Sequence, residues 1–199
     1  LTGAEFRLDQ IEERTNPKDV IGNLTDNSND FCDTEISEGI GELTNNGEYY
    51  FVKNAEGKIV PTNSKTWQTA NVEGATEGIH NSTAHSYIPI DLTGKTGKYF
   101  ARVNATASSQ YSADWGYATI TETTTAPEYN NTNGRFMYTD GSRAATDFTS
   151  QALEGGKMYY LHLGYYKNAN TDGNTDQIII NSIKLYSGKT YNFTEEIGE

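Results

Sequence analysis

Residues 157–166 read Lys-Met-Tyr-Tyr-Leu-His-Leu-Gly-Tyr-Tyr, and residues 177–186 read Gln-Ile-Ile-Ile-Asn-Ser-Ile-Lys-Leu-Tyr. They are the strongest strand patterns in the chain, because β-branched and aromatic residues dominate both. The polar residues 168–176 join them, and we interpret this stretch first as a hairpin loop. Two such strands predict an all-β protein.

Weaker strand patterns repeat on the N-terminal side of this pair, with Gly, Asn, Asp and Ser between them. The predicted strands are residues 3–9, 48–54, 58–61, 86–92, 98–107, 114–121, 135–139 and 148–153. Residues 16–46 carry no clear pattern and are assigned to loop, and no stretch shows a convincing amphipathic helix. The spacing predicts two packed antiparallel sheets, with a jelly roll as the first choice and an immunoglobulin-like order as the second.

Composition excludes several classes of partner. The 199 residues carry a formal net charge of −12, which repels nucleic acid and anionic lipid. No apolar run approaches the ~20 residues that a membrane-spanning helix needs. Hydrophobic residues make up only 35%, but aromatic residues make up 12%, which favours a folded core under a polar surface. Cys32 is the single cysteine, so no intramolecular disulfide can form.

Two aromatic residues and a carboxylate occur within five positions, at Tyr111, Asp114 and Trp115. A pyranose presents C–H faces that stack on aromatic rings and hydroxyls that bind carboxylates, so these residues are candidates for sugar binding. Trp67, in another polar stretch, is a fourth candidate. The alternative is that Trp115 alternates inward with Tyr117 and fills the core.

The loop before the last strand carries oxygen ligands at every second position, Asp172, Asn174 and Asp176, around Gly173. Hard cations such as Ca²⁺ need several oxygens from a tight loop, so a Ca²⁺ site is the alternative to a plain hairpin loop.

Evidence for catalysis is weak. The three histidines lack the spacing of a zinc-protease helix, and no nucleophile elbow or phosphate-binding loop is present. A pair of carboxylates, as in glycosidases, remains the only route to an enzyme. We therefore predict a protein that is not an enzyme.

Two resemblances refine this reading. Thr-Gly-Ala-Glu-Phe-Arg-Leu (residues 2–8) resembles the opening strand of the prealbumin-like (Cna-B or SpaA type) modules of Gram-positive pilins and adhesins. That resemblance implies a stalk module, often locked by a Lys–Asn isopeptide bond. Residues 41–187 resemble the jelly-roll sugar-binding modules appended to bacterial glycosidases and surface proteins, most clearly in the closing strand, residues 176–186.

Together these observations predict a jelly-roll domain over residues 20–187, with residues 1–19 and 188–199 as strands of a prealbumin-like module or edge strands of the sandwich. The predicted function is a non-catalytic module of a Gram-positive cell-surface adhesin or pilin-like protein that binds a glycan or a surface glycoprotein. The predicted location is extracellular, in the cell wall. A stalk without a ligand is the second reading, and a glycan-active enzyme fragment is the third.

Overall fold

A computed structural model describes residues 32–169 and 175–188. Within these ranges the chain forms twelve β-strands and one short helix. The strands are β1 (Cys32–Ile36), β2 (Thr44–Asn45), β3 (Phe51–Lys53), β4 (Ile59–Pro61), β5 (Ser82–Asp91), β6 (Lys98–Ser108), β7 (Trp115–Thr121), β8 (Arg135–Asp140), β9 (Ser142–Thr149), β10 (Leu153–Glu154), β11 (Met158–Lys167) and β12 (Gln177–Gly188). The helix, α1, spans Lys65–Asn71.

The strands form two antiparallel sheets in a jelly-roll order. The seven-stranded sheet places β4, β12, β6 and β9 side by side, with β3 outside β4, β10 on β6 and β1 on β12. The five-stranded sheet has the order β2, β5, β11, β7 and β8. Among the described strands, the chain stays in one sheet only at β3–β4, β7–β8 and β9–β10 and changes sheet at every other connection, as in a jelly roll. The predicted all-β sandwich is confirmed, with the jelly roll rather than the immunoglobulin-like order.

The core lies between the sheets, and alternation along the central strands fills it. Leu161 and Leu163 of β11 are fully buried, as are Ile178 and Ile180 of β12. A bulge between Ile180 and Ser182 adds one residue to β12. One extra residue reverses the parity of a strand, so the next fully buried side chain is Leu185.

The stretch between β11 and β12 is not a hairpin loop, which corrects the first interpretation. The two strands belong to different sheets, and β11 pairs with β5 and β7 while β12 pairs with β4 and β6. Each strand has one strongly apolar face, and two such faces can be buried by stacking across a sandwich as well as by pairing side by side.

Four further elements differ from the prediction. The sequence assigns loop to β1 and β2, misses most of β9 and predicts no helix. Helix α1 begins after Ser64, whose Oγ accepts a hydrogen bond from the backbone N–H of Trp67 at 3.2 Å, as an N-cap does. Its buried Gln68 donates to the carbonyl of Thr62 at 2.7 Å. Seven residues with polar contacts leave no periodic apolar stripe for sequence analysis to find.

The domain boundaries stay a prediction at both ends. Residues 1–19 and 189–199 lie outside the described residues, so the resemblance to a prealbumin-like module has no structural counterpart here. No helix in the described ranges has the length and apolar character to span a membrane.

Candidate functional site

The outer face of the five-stranded sheet carries most of its large aromatic side chains. In β7, Ala118 and Ile120 face the core, so Trp115 and Tyr117 face away from it. This corrects the alternative that Trp115 alternates inward with Tyr117 to fill the core. Residues opposite each other in an antiparallel pair share a face, and Trp115 lies opposite both Tyr166 of β11 and Asp140 of β8. Rings from three neighbouring strands therefore meet on one surface.

Four of these rings form a cluster that we name the aromatic patch: Trp115, Tyr129, Tyr138 and Tyr166. The ring centroid of Trp115 lies 4.5 Å from that of Tyr166, 5.8 Å from that of Tyr129 and 6.1 Å from that of Tyr138. Tyr129 stacks on Tyr166 with a centroid distance of 4.0 Å and an interplanar angle of 8°. The indole N–H of Trp115 donates to the backbone carbonyl of Tyr129 at 3.2 Å.

The rim of the patch is open to solvent. Tyr138 is 38% exposed and Tyr111 is 79% exposed. Tyr111 packs beside Gly141, where an added Cβ would come within 3.2 Å of the Tyr111 ring. The backbone N–H of Ser112 donates to Oδ1 of Asp140 at 2.6 Å, which fixes the Tyr111 loop to the end of β8. A contiguous exposed patch of apolar side chains often marks a binding surface.

Polar groups lie beside these rings. The guanidinium carbon of Arg135 sits 4.4 Å from the ring centroid of Tyr138, within cation–π range. Burial, and then the charge of Asp140, raise the pKa of the Tyr138 hydroxyl, so this hydroxyl stays protonated at neutral pH. The patch thus offers flat apolar faces edged by a cation, a carboxylate and hydroxyls.

The structure brings together two of the four predicted sugar-binding residues. Tyr111 and Trp115 both adjoin Tyr138. Trp67 lies on α1 and, among the described residues, makes no ring contact with the patch. Asp114 is 0% exposed, so its carboxylate cannot reach a ligand on this surface, and its place in the predicted site is wrong.

Asp114 instead belongs to a buried ionic network with Lys167 and Asp176, and all three side chains are 0% exposed. The Lys167 ammonium lies 2.5 Å from Oδ2 of Asp176 and 3.7 Å from Oδ2 of Asp114. Oδ1 of Asp114 accepts the backbone N–H of Asn168 at 2.8 Å. The Tyr165 hydroxyl donates to Asp176 at 3.3 Å.

This network lies directly under the patch, because Trp115 follows Asp114 and Tyr166 precedes Lys167 in the chain. Side chains alternate along a strand, so each inward charge is adjacent to an outward ring. The network therefore joins β7 to β11 at the point where the two rings meet.

The predicted Ca²⁺ site stays a prediction. Asp172 and Asn174 lie outside the described residues, and Asp176 contacts Lys167. Within residues 32–169 and 175–188, no three His, Cys, Asp or Glu side chains are grouped so that they could hold a metal ion.

A second part of the same outer face is covered. Tyr117 is 0% exposed, and Thr119 and His162 are each 1% exposed, although all three side chains point away from the core. Residues 122–134, which connect β7 to β8 and which we name the cover segment, approach these side chains at Thr123, Glu128 and Gly134. Nε2 of His162 is 2.9 Å from the backbone carbonyl of Thr123. Burial of the imidazole lowers the pKa of His162.

His85 completes the covered area. Burial, and then the neighbouring His162, lower the pKa of His85 to about 4. Nε2 of His85 lies 3.5 Å from the hydroxyl of Tyr117, and the two rings meet edge to face. The imidazole of His85 is therefore uncharged at neutral pH.

Sequence analysis missed three rings of the patch. Tyr166 could have been found, because alternation places it on the same face as Tyr160 and His162 of β11. Tyr138 lies in a predicted strand whose outer face was not assigned. Tyr129 lies in a connection without a periodic pattern, and no sequence signal pointed to it.

Comparisons with known proteins find similarity of fold only. No family model and no curated protein matches the sequence. One similar solved structure is the N-terminal part of a Clostridium thermocellum endo-1,4-β-D-xylanase 10B, with CBM22-1 and GH10 modules and bound xylohexaose. The TM-score is 0.37 and the identity 10%; the match covers 81% of this chain and 29% of that one. The chain thus spans less than a third of that protein's structure.

A second similar structure is TmCBM61 in complex with β-1,4-galactotriose. The TM-score is 0.33 and the identity 8%, and the match covers 71% of this chain and 89% of that one. Both structures contain carbohydrate-binding modules, and at these identities the likeness extends to the fold alone.

Proposed function

We propose that this chain is a non-catalytic carbohydrate-binding module that holds a sugar chain on the aromatic patch. The observation that supports this most directly is the solvent-open rim. Tyr111 and Tyr138 are 79% and 38% exposed on a face where Trp115 and Tyr166 lie 4.5 Å apart. Large aromatic side chains that are already held rigidly at a surface lose little conformational entropy when a ligand binds.

The chemistry of the patch suits a neutral saccharide. A pyranose can lay its C–H face on an exposed tyrosine ring, while its hydroxyls bind Asp140 and the Tyr138 hydroxyl. The formal net charge of −12 disfavours acidic polysaccharides. Each stacked sugar contributes on the order of 1 kcal/mol, so one module should bind with a Kd in the micromolar to millimolar range.

We further propose that the module belongs to an extracellular adhesin or a related cell-wall protein of a Gram-positive bacterium. What supports this part is composition: an acidic, polar chain with a single cysteine. If no glycan binds, the alternative hypothesis of a stalk without a ligand applies.

A glycan array followed by calorimetric titration tests the proposal, with xylohexaose and β-1,4-galactotriose included among the probes. Tyr111→Ala and Tyr138→Ala should each weaken binding about threefold to tenfold, the effect of losing one stacked ring. Both side chains are solvent-exposed, so the melting temperature should change little.

Tyr186→Ala is the matched control. Tyr186 follows the buried Leu185 on β12, so its ring lies on the outer face of the other sheet, under Arg102. This variant should bind as the wild type does. Equal losses in the patch variants and the control would reject the patch as the binding surface, and the absence of any glycan ligand would favour the stalk reading.

A further inference from the structure

The cover segment hides a surface that has the features of a ligand site. Tyr117 lies flat over Gly164 of the neighbouring strand, where an added Cβ would come within 2.0 Å of the ring. A glycine opposite an aromatic residue lets the ring lie down on the sheet instead of standing on edge. The ring of Tyr117 is therefore a second flat platform, continuous with the patch through Trp115 on the same strand.

Polar atoms around this platform have no hydrogen-bond partner in the part of the chain that the structure describes. Nδ1 of His85, Nδ1 of His162 and Oγ1 of Thr119 are buried and have no hydrogen-bond partner among the described residues. An unsatisfied buried polar group costs about 1–3 kcal/mol. Three such atoms lie on one face. With the cover closed, this face therefore keeps polar atoms to which a hydroxyl-bearing ligand could hydrogen-bond.

The cover is attached by side chains rather than by backbone pairing. In the described ranges, no backbone hydrogen bond joins residues 122–131 to the sheet. Asn46 donates to the Thr124 carbonyl at 2.9 Å, and Trp115 donates to the Tyr129 carbonyl. The Thr123 carbonyl accepts from the Thr121 hydroxyl at 2.8 Å and lies 2.9 Å from Nε2 of His162. Lys157 pairs with Glu122 at 2.9 Å, but both side chains are about half exposed, and such pairs contribute little. A segment attached in this way opens at a lower free energy than the sheet beneath it.

Tyr129 of the cover occupies the place of a ligand. Its ring lies parallel to Tyr166 at 4.0 Å and 8°, which is how a pyranose stacks on a tyrosine. While Tyr129 is in this position, no sugar can use that face of Tyr166.

We propose that the covered surface around Tyr117, Thr119 and the two histidines is a second saccharide subsite. Residues 122–134 must lift from this surface, and Tyr129 must leave Tyr166, before a glycan chain can occupy both subsites. The inference rests on the proposed function and adds the length and polarity of the ligand: an oligosaccharide of several units rather than one terminal sugar. Because the closed form must first open, the apparent affinity is lower than that of the open form by the open fraction.

Asn46→Ala tests the inference because it removes the side-chain hydrogen bond to the Thr124 carbonyl of the cover and keeps the backbone N–H that donates to the His85 carbonyl. Asn130→Ala is the matched control, since Asn130 is exposed within the cover and makes no side-chain hydrogen bond among the described residues. Both changes are made in a Trp67→Phe background. The chain has two tryptophans, so this leaves Trp115 as the only fluorescent indole.

Acrylamide quenching of Trp115 reports opening, and calorimetry with xylohexaose and β-1,4-galactotriose reports binding. Asn46→Ala should raise the quenching constant about twofold or more and strengthen binding of the longer probe about threefold to tenfold, while Asn130→Ala changes neither. Unchanged quenching, or increased quenching with unchanged or weaker binding, overturns the covered subsite and leaves the patch in place. If no glycan of the array binds any of the proteins, the proposed function fails as well.

Discussion

At the scale of single residues, the strongest constraint on the fold is Lys167. Its ammonium lies between two carboxylates, and none of the three groups touches solvent. Removing charges from water costs several kcal/mol per ion, and only mutual attraction with good hydrogen bonds offsets that cost. The network by itself is therefore weak evidence for high stability. Removing one of its members lowers the free energy of unfolding strongly, because no water reaches the buried charges that remain.

Lys167→Met should lower the free energy of unfolding by about 3–5 kcal/mol, because it leaves Asp114 and Asp176 buried without their common cation. Lys184→Met is the control. Lys184 pairs with Glu35 at 3.6 Å, and both side chains are nearly half exposed, so this change should cost less than about 1 kcal/mol. Urea denaturation measures both variants. Equal midpoints would show that the network does not hold the two strands together.

At the scale of elements, alternation predicted the strands well and the direction of their faces less well. In β6, Ala101, Val103 and Ala105 alternate along the strand and all three are in the core. In β7 the interpretation that Trp115 and Tyr117 face inward is wrong, because a strand pattern identifies two faces without saying which is inward. The larger residues Trp115 and Tyr117 looked like the core face, yet the core side is made of Gly, Ala and Ile.

Other parts of the site could not be predicted because they depend on distant partners. The sequence predicts a sugar-binding role for Asp114, because sugar hydroxyls bind carboxylates and carboxylates are seldom fully buried. Its burial depends on Lys167 at the end of another strand. Tyr129 depends on how the cover segment lies across the sheet, which no local pattern encodes. The fold class follows from local periodicity, whereas the site depends on contacts between segments far apart in the chain.

The outer face of the five-stranded sheet should respond to acid through His85. Its pKa in the folded state is about 4, below the ordinary value of 6.5, because of burial and the neighbouring His162. Protons therefore bind the unfolded chain more tightly. The contribution of the neutral His85 imidazole to the free energy of unfolding is fully present above pH 6.5 and is lost as the pH falls from 6.5 through about 4. The shift corresponds to a loss on the order of 3 kcal/mol at the acid end.

His85→Gln removes this titration, so its unfolding free energy should fall less steeply than that of the wild type between pH 6.5 and 4. The comparison isolates His85 from Tyr117, His162 and the carboxylate of Glu128, which lie on the same face and are present in both proteins. Parallel stability profiles for wild type and His85→Gln would contradict the assignment of acid sensitivity to this imidazole.

At the scale of the whole molecule, the jelly roll gathers its large aromatic rings on one broad face. The aromatic patch and the covered platform both belong to the outer face of the five-stranded sheet. Contacts with neighbouring modules of the same chain stay a prediction. One face with a few stacked rings gives a weak but sterically accessible site. Such a module gains strength by repetition rather than by a tighter pocket.

Joining two copies through a flexible Gly/Ser linker should therefore raise the apparent affinity for a polymeric glycan about a hundredfold, because the second contact becomes intramolecular. A short oligosaccharide cannot bridge two copies, so its affinity per site should stay that of the single module. A tandem protein with Tyr111→Ala and Tyr138→Ala in one copy is the control, and it should lose most of the gain while keeping its fold. Surface plasmon resonance on immobilised polymer, with calorimetry on the oligosaccharide, separates the two effects. An equal gain in the control would mean that the linker or nonspecific contacts, and not the aromatic face, hold the polymer.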